Sequence, residues 1–196
     1  MSPLLLSLVF ALDRTPSAEA LVAQVRAAYA KVRSFKDTVE IRDVLNSKKL
    51  LRRATITFSA PRTLWFVHRN LEAMRTTMIL ERAGQKRDVK TISSSVTRIK
   101  ADDARTEGTH VQHSWPFTLY APLLKGKDET GFDGKWASVT QETVGGHACF
   151  RLAKNEANSL SFIWIDAKTH FVVQARQKWG AKNEHDELYS FAPVAK

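Results

Sequence analysis

SAEALVAQVRAAYAKVRSFKDTVEIRDVL, residues 17–45, contains the change of period that decides the fold. Through Val32 the apolar side chains Ala18, Leu21, Val22, Val25, Ala28 and Tyr29 recur at helical spacing, so Ser17–Val32 is expected to be an amphipathic helix. Ser17 is a suitable N-cap, and Glu19 sets a carboxylate in the first turn, where the helix dipole favours it. From Phe35 the pattern changes to short apolar or alternating runs separated by turn residues: Phe35–Leu45, Leu50–Ser59, Thr63–His68, Thr76–Arg82, Val89–Ile99, Trp136–Val144, Ala148–Ala153, Leu160–Asp166, Phe171–Trp179 and Glu187–Phe191. One long helix cannot cover that much antiparallel sheet in an ordinary two-layer stack. The sheet is therefore expected to curl around it, leaving a concave face able to hold a ligand.

The turns agree with that meander. Asn46-Ser47-Lys48 marks a hairpin tip, Ala60-Pro61 ends a strand because proline cannot donate to the ladder, and Gly84 sits in another turn. Gly145-Gly146 is a strong two-residue hairpin signal, and Asp166-Ala167-Lys168-Thr169 reads as a short turn between apolar strands. The middle of the chain differs. Pro116–Leu124 reads as a short helix, with Ser114 as cap and Pro116 in the first turn. Its apolar residues cover most of its circumference, so it must be buried or plug an opening, and Pro122 is expected to limit or bend it. The fold class is thus α+β: a strongly curved antiparallel sheet of about ten strands, an incomplete barrel, wrapped on an N-terminal helix with a short mid-chain helix near its mouth. Residues 17–196 form one domain, with no internal repeat or linker.

At 196 residues, 43% hydrophobic and 26% charged, the chain is globular and not disordered. The net charge of +10 implies attraction to anionic lipid, nucleic acid or an acidic partner, or else a solvated basic surface. Its densest basic cluster, Lys48, Lys49, Arg52 and Arg53, straddles the expected hairpin tip, where such residues also blunt sheet edges. The first twelve residues, MSPLLLSLVFAL, are apolar but too short to span a bilayer. Residues 1–16 read as an export signal lacking its positive start, which places the protein in the periplasm; the alternative is an apolar extension packed on the fold.

Signals for chemistry are poor. The single cysteine, Cys149, excludes an internal disulfide and reads as a small buried apolar residue in a strand. His110 and His113 lie three apart beyond Asp102, Asp103 and Glu107, a spacing common by chance, and the segment reads as a polar loop more readily than as a metal site. Ser93-Ser94-Ser95 lies in a strand without a base at telling spacing. No metal and no cofactor is expected. Single-strand nucleic-acid binders interleave aromatics with basic residues on an open sheet face. Trp65, Phe66, His68 and Arg69 have that composition, but Phe66 is expected to point inward and an exported protein has no nucleic-acid partner.

Period-two alternation assigns a set of cavity residues: Ile56, Phe58, Leu64, Phe66, Met78, Leu80, Phe150, Leu152, Phe162, Trp164, Phe171 and Val173, with Leu21, Val25, Trp115 and Leu119 from the helices. A one-residue error of register exchanges whole sets, and a packed core would supply the same residue types. Two runs, Leu64–Val67 and Phe162–Ile165, are apolar on both faces, which fits either an apolar cavity on one side or a filled two-layer core.

The helix ending Ala30-Lys31-Val32-Arg33-Ser34-Phe35, the run Ile56-Thr57-Phe58-Ser59-Ala60-Pro61 leading to Leu64-Trp65-Phe66, and the late run Ser161-Phe162-Ile163-Trp164-Ile165-Asp166 followed by Thr169 and Val172-Val173-Gln174 together carry a resemblance. From about Ala18 to Phe191 the chain resembles the LolA/LolB-like superfamily of periplasmic lipoprotein carriers. The resemblance implies an incomplete curved barrel whose helices close the open side, an apolar cavity for acyl chains, and a non-enzymatic carrier or sensor of lipid or lipoprotein in the cell envelope; the chain is expected to be a monomer. One departure matters. Those carriers have an arginine before the proline that ends the equivalent strand, whereas Ala60 stands here and Arg62 follows the proline, so that arginine's role is not carried over. Two other functions fit the sequence: a periplasmic sensing or scaffold domain on the same fold that recognises a protein partner, and a hydrolase using the His110/His113 region.

Overall fold

A computed structural model describes residues 15–44, 50–59, 63–70, 75–81, 88–93, 115–125, 132, 135–180 and 185–195. The apolar start of the chain, the tip at Asn46–Lys48, Gly84, and His110 and His113 with Ser114 lie outside the described residues.

The helix α1 runs Ala18–Ala30, and the Ser17 hydroxyl accepts from the Ala20 N–H at 3.2 Å, as an N-cap should. Five strands follow: β1 (Ser34–Asp43), β2 (Leu50–Ser59), β3 (Thr63–Asn70), β4 (Arg75–Glu81) and β5 (Asp88–Ser93). The second helix, α2, spans Trp115–Lys125. Then come β6 (Ser138–Val144), β7 (His147–Glu156), β8 (Ser159–Asp166), β9 (Val172–Trp179), β10 (His185–Ser190) and the short β11 (Val194–Ala195). Every pairing is antiparallel, in the order β5-β4-β3-β2-β1-β10-β9-β8-β7-β6, with β11 added on β1. The sheet stays open between β5 and β6, so this is the incomplete, helix-covered barrel that the order of elements predicted.

Two local signals were legible residue by residue. Gly145 and Gly146 make the β6–β7 turn at φ +57° and +84°, a conformation that glycine adopts without steric cost. Asp166 organises the β8–β9 turn: its Oδ1 accepts from the Lys168 and Thr169 N–H groups at 2.9 and 2.7 Å and from the Thr169 hydroxyl at 3.0 Å. These bonds to the charged form outweigh the cost of its burial and hold its pKa below the ordinary value. One expectation needs correction. α2 continues through Pro122 to Lys125, so the proline neither ends it early nor sets its limit. Pro122 has no N–H to donate within the helix, and burial of Phe117, Leu119, Tyr120, Leu123 and Leu124 holds it regardless.

The core lies between the helices and one face of the sheet. Inward residues are Phe35, Val39 and Ile41 of β1, Ala54, Ile56 and Phe58 of β2, Leu64 and Phe66 of β3, Ile79 of β4, Leu152, Ile163 and Ile165 of β7–β8, and Val172, Ala175 and Tyr189 of β9–β10. Tyr29 of α1 and Tyr120 of α2 anchor an aromatic cluster. Tyr29 meets Phe171 edge-on at 4.9 Å, and Tyr120 meets Phe35 at 5.1 Å and Phe191 at 5.4 Å. Each such pair contributes about 0.5–1.5 kcal/mol beyond area burial. Phe117 likewise stacks edge-on against Phe66 at 5.2 Å, fixing α2 on β3.

Candidate ligand-binding site

The predicted cavity set divides three ways. Leu21, Val25, Ile56, Phe58, Leu64, Phe66, Leu119 and Leu152 share the helix-covered face, each at most 4% exposed. Phe150 and Phe171 are half-buried against that cluster. Among the described residues they belong to one hydrophobic cluster, together with the aromatic pairs around Tyr29 and Tyr120. Met78, Leu80, Phe162 and Trp164 lie on the opposite face of the sheet, which corrects their assignment. The pairing shows why. Ile79 stands opposite the inward Phe66, so Met78 and Leu80 must point outward, and Ile163 stands opposite the inward Leu152, so Phe162 and Trp164 must too. Val173 is half-buried and is passed over at a bulge where Trp164 faces Gln174 and Ile165 faces Val172. The side chain of Trp115 lies outside the described residues.

Among the described residues the outward aromatics are covered by polar neighbours. Glu142 accepts from the Trp164 indole N–H at 2.8 Å and binds Arg151 at 2.7 Å, and the Arg151 guanidinium lies 5.4 Å over the Phe162 ring. Nearby, Cys149 is buried, and desolvation with the Asp166 charge pushes its thiol up, opposite to an activated nucleophile. His147, on the same face, binds Asp166 through Nδ1 at 2.8 Å, an ion pair when the ring is protonated. Among the described residues no group of three or more His, Cys, Asp and Glu could hold a metal.

Among the described residues a carboxyl group and an imidazole are buried on the core face. Asp37 of β1 takes the Tyr120 hydroxyl on Oδ2 at 2.6 Å and the Ala192 N–H on Oδ1 at 2.7 Å. Desolvation outweighs these bonds and raises its pKa to about 6. Tyr120 is hydrogen-bonded to Tyr29, whose hydroxyl accepts from the Val172 N–H at 3.3 Å, so one buried network ties both helices to β1 and β9. His68 of β3 is 3% exposed, neither ring nitrogen finds a hydrogen bond, and burial, with Arg52 adding to it, lowers its pKa to about 4.

An open cleft of about 450 Å³ runs along the flank of α1. Ala18, Glu19, Val22, Ala23 and Arg26 form one wall, and Phe132, Lys135 and Trp136 the other. Leu21, Val25 and Tyr29 take the core stripe of the helix, which leaves Ala18 and Val22, one turn apart, for the cleft. The Trp136 indole N–H is satisfied by the Phe132 carbonyl at 2.9 Å, so the two rings present apolar surface. None of these residues was among the predicted cavity set. Ala18 and Val22 were visible in the helical pattern; Trp136 was expected to open the strand Trp136–Val144, which begins at Ser138 instead, and Phe132 lay outside every expected element.

Fold and site together define an open antiparallel half-barrel with two helices over its inner face and a groove beside the first. Among solved structures the chain is similar to LprF from Mycobacterium bovis, at 10% identity and a TM-score of 0.49, covering 90% of this chain and 92% of that one. It is also similar to MucB, solved in complex with MucA(peri), at 13% identity and a TM-score of 0.46, although it spans only 56% of that chain. A LolA superfamily protein from Nitrosomonas europaea is a further likeness, at 7% identity and a TM-score of 0.31, covering 91% of this chain and 93% of that one. No protein-family model matches the chain, and neither does any curated protein.

Proposed function

We propose that this chain is a non-enzymatic binding protein of the cell envelope that carries an acyl chain of a lipid or lipoprotein, and that the chain lies in the cleft beside α1. The cleft is the observation that carries this reading. Its volume of about 450 Å³ falls in the range of small-molecule sites, roughly 300–1,000 Å³. Its walls offer Ala18, Val22, Ala23, Phe132 and Trp136 to a hydrocarbon, while Arg26 and Lys135 can face an anionic headgroup. Burying a methylene yields about 0.8 kcal/mol, so eight of them give on the order of 6 kcal/mol before association costs. Placement in the envelope rests on the apolar residues 1–12. Among the described residues no helix is long and apolar enough to cross a membrane.

The test is uptake of a fluorescent fatty acid by delipidated protein. Ala23 is exposed and lines the cleft, so Ala23→Trp should fill it without touching the core. Saturable uptake by the wild type, weakened tenfold or more in Ala23→Trp at an unchanged melting temperature, supports the reading. Uptake that Ala23→Trp leaves intact, or no saturable uptake at all, overturns it.

A further inference from the structure

From the outer face of β1–β4 we infer that this side of the sheet docks on an anionic lipid bilayer. The inference is independent of the acyl-chain cleft, which lies beside α1. Trp65 is 40% exposed, although the chain could have spent it in the core. It pairs across the strands with Leu80, and the neighbouring Val67 pairs with Met78, all four on the outer face. The same face carries Lys36 and Arg42 of β1, Arg53 of β2 and Arg69 of β3 against the single carboxylate Glu40, among the described side chains. Glu40 is already engaged by Arg53 at 3.1 Å and Arg42 at 3.7 Å. An apolar strip with an amphipathic indole, bordered by excess positive charge, is the composition that settles at the boundary of an anionic membrane.

The backbone agrees. β1–β4 are interior strands of the sheet, so their N–H and C=O groups are already paired and approach lipid without stranding a polar group. A second copy of this chain is disfavoured, because a two-fold contact would set the positive faces against each other. A single-stranded nucleic acid would need a series of stacking rings. Phe66 and His68 point inward, which leaves Trp65 as the one aromatic on the outer face of β3.

Co-sedimentation of the full chain with vesicles tests this. Phosphatidylcholine vesicles containing one third phosphatidylglycerol should bind it, pure phosphatidylcholine should not, and raised salt should weaken binding. Trp65→Thr and Arg69→Glu alter exposed positions of a strand and should leave the melting temperature unchanged, while each lowers the partition coefficient about tenfold. Equal partition of wild type and Trp65→Thr overturns the inference. So does failure to bind vesicles, including the case where an acidic polypeptide or a single-stranded oligonucleotide is bound through Trp65 instead.

Discussion

Replacing Asp37 by Asn should change how stability depends on pH, and the direction follows from the buried network. The folded carboxyl has a pKa of about 6 against an ordinary 3.8, chiefly because burial disfavours its charge. Between those values the folded state holds a proton that the unfolded state releases. The wild type's stability from this group is therefore full below about pH 3.8 and is lost as pH rises through about 6. At about 1.4 kcal/mol per pH unit, the gap amounts to roughly 3 kcal/mol. Asparagine has no charge to bury. Its carbonyl can still accept from the Ala192 N–H, but its amide must donate towards the Tyr120 hydroxyl, which then loses its acceptor. That orphaned donor costs about 1–3 kcal/mol at every pH. The measurement is urea unfolding of both proteins at a series of pH values, followed by tryptophan fluorescence. The stability of Asp37→Asn relative to wild type should climb by roughly 2.4 kcal/mol between pH 4 and pH 7. A flat difference, or one that falls as pH rises, would refute burial as the dominant influence on Asp37.

Three other outcomes follow from the same packing. His68→Leu should gain stability over wild type as pH falls from 6.5 to about 4, because the buried imidazole resists a proton that the unfolded chain accepts; the same urea series would show a constant difference if that were wrong. Leu119→Ala, at a fully buried position of α2, should cost about 2–5 kcal/mol in chemical denaturation, and a loss under 1 kcal/mol would mean that α2 does not seal the core. Gly146→Ala should cost about 1–2 kcal/mol through its φ of +84° alone, since nothing stands within 4 Å of an added Cβ; an unchanged melting temperature would show that the turn relaxes.

The fold was legible in the sequence wherever a local rule sufficed. The period change after Val32, the Gly145-Gly146 turn and the capped α1 each depend on a few neighbouring residues, and each appears where the pattern placed it. The phase of a strand is a different kind of quantity. In Met78-Ile79-Leu80 and in Phe162-Ile163-Trp164-Ile165 consecutive residues are all apolar, so alternation has two solutions. The choice comes from across the ladder: Phe66 holds Ile79 inward, and Leu152 holds Ile163. In β9 even a correct start fails, because the bulge at Val173 shifts parity partway along. The cleft was less legible still, since Phe132, Lys135 and Trp136 of its second wall meet α1 only through tertiary packing.

Asp37 and His68 also explain each other's tolerance. Both sit on the inward face, on β1 and β3 with β2 between, and both titrate in the fold between pH 4 and about 6. Their contributions have opposite sign. As pH rises, the fold loses stability from Asp37 and regains it from His68. The two roughly compensate across the acid range, so the wild-type curve should be flatter than that of either single variant. A buried carboxylate and a buried imidazole without a partner would each be a liability in isolation. Held on one core face, with Tyr120 and Ala192 engaging the carboxylate, the two offset each other's contributions between about pH 4 and 6.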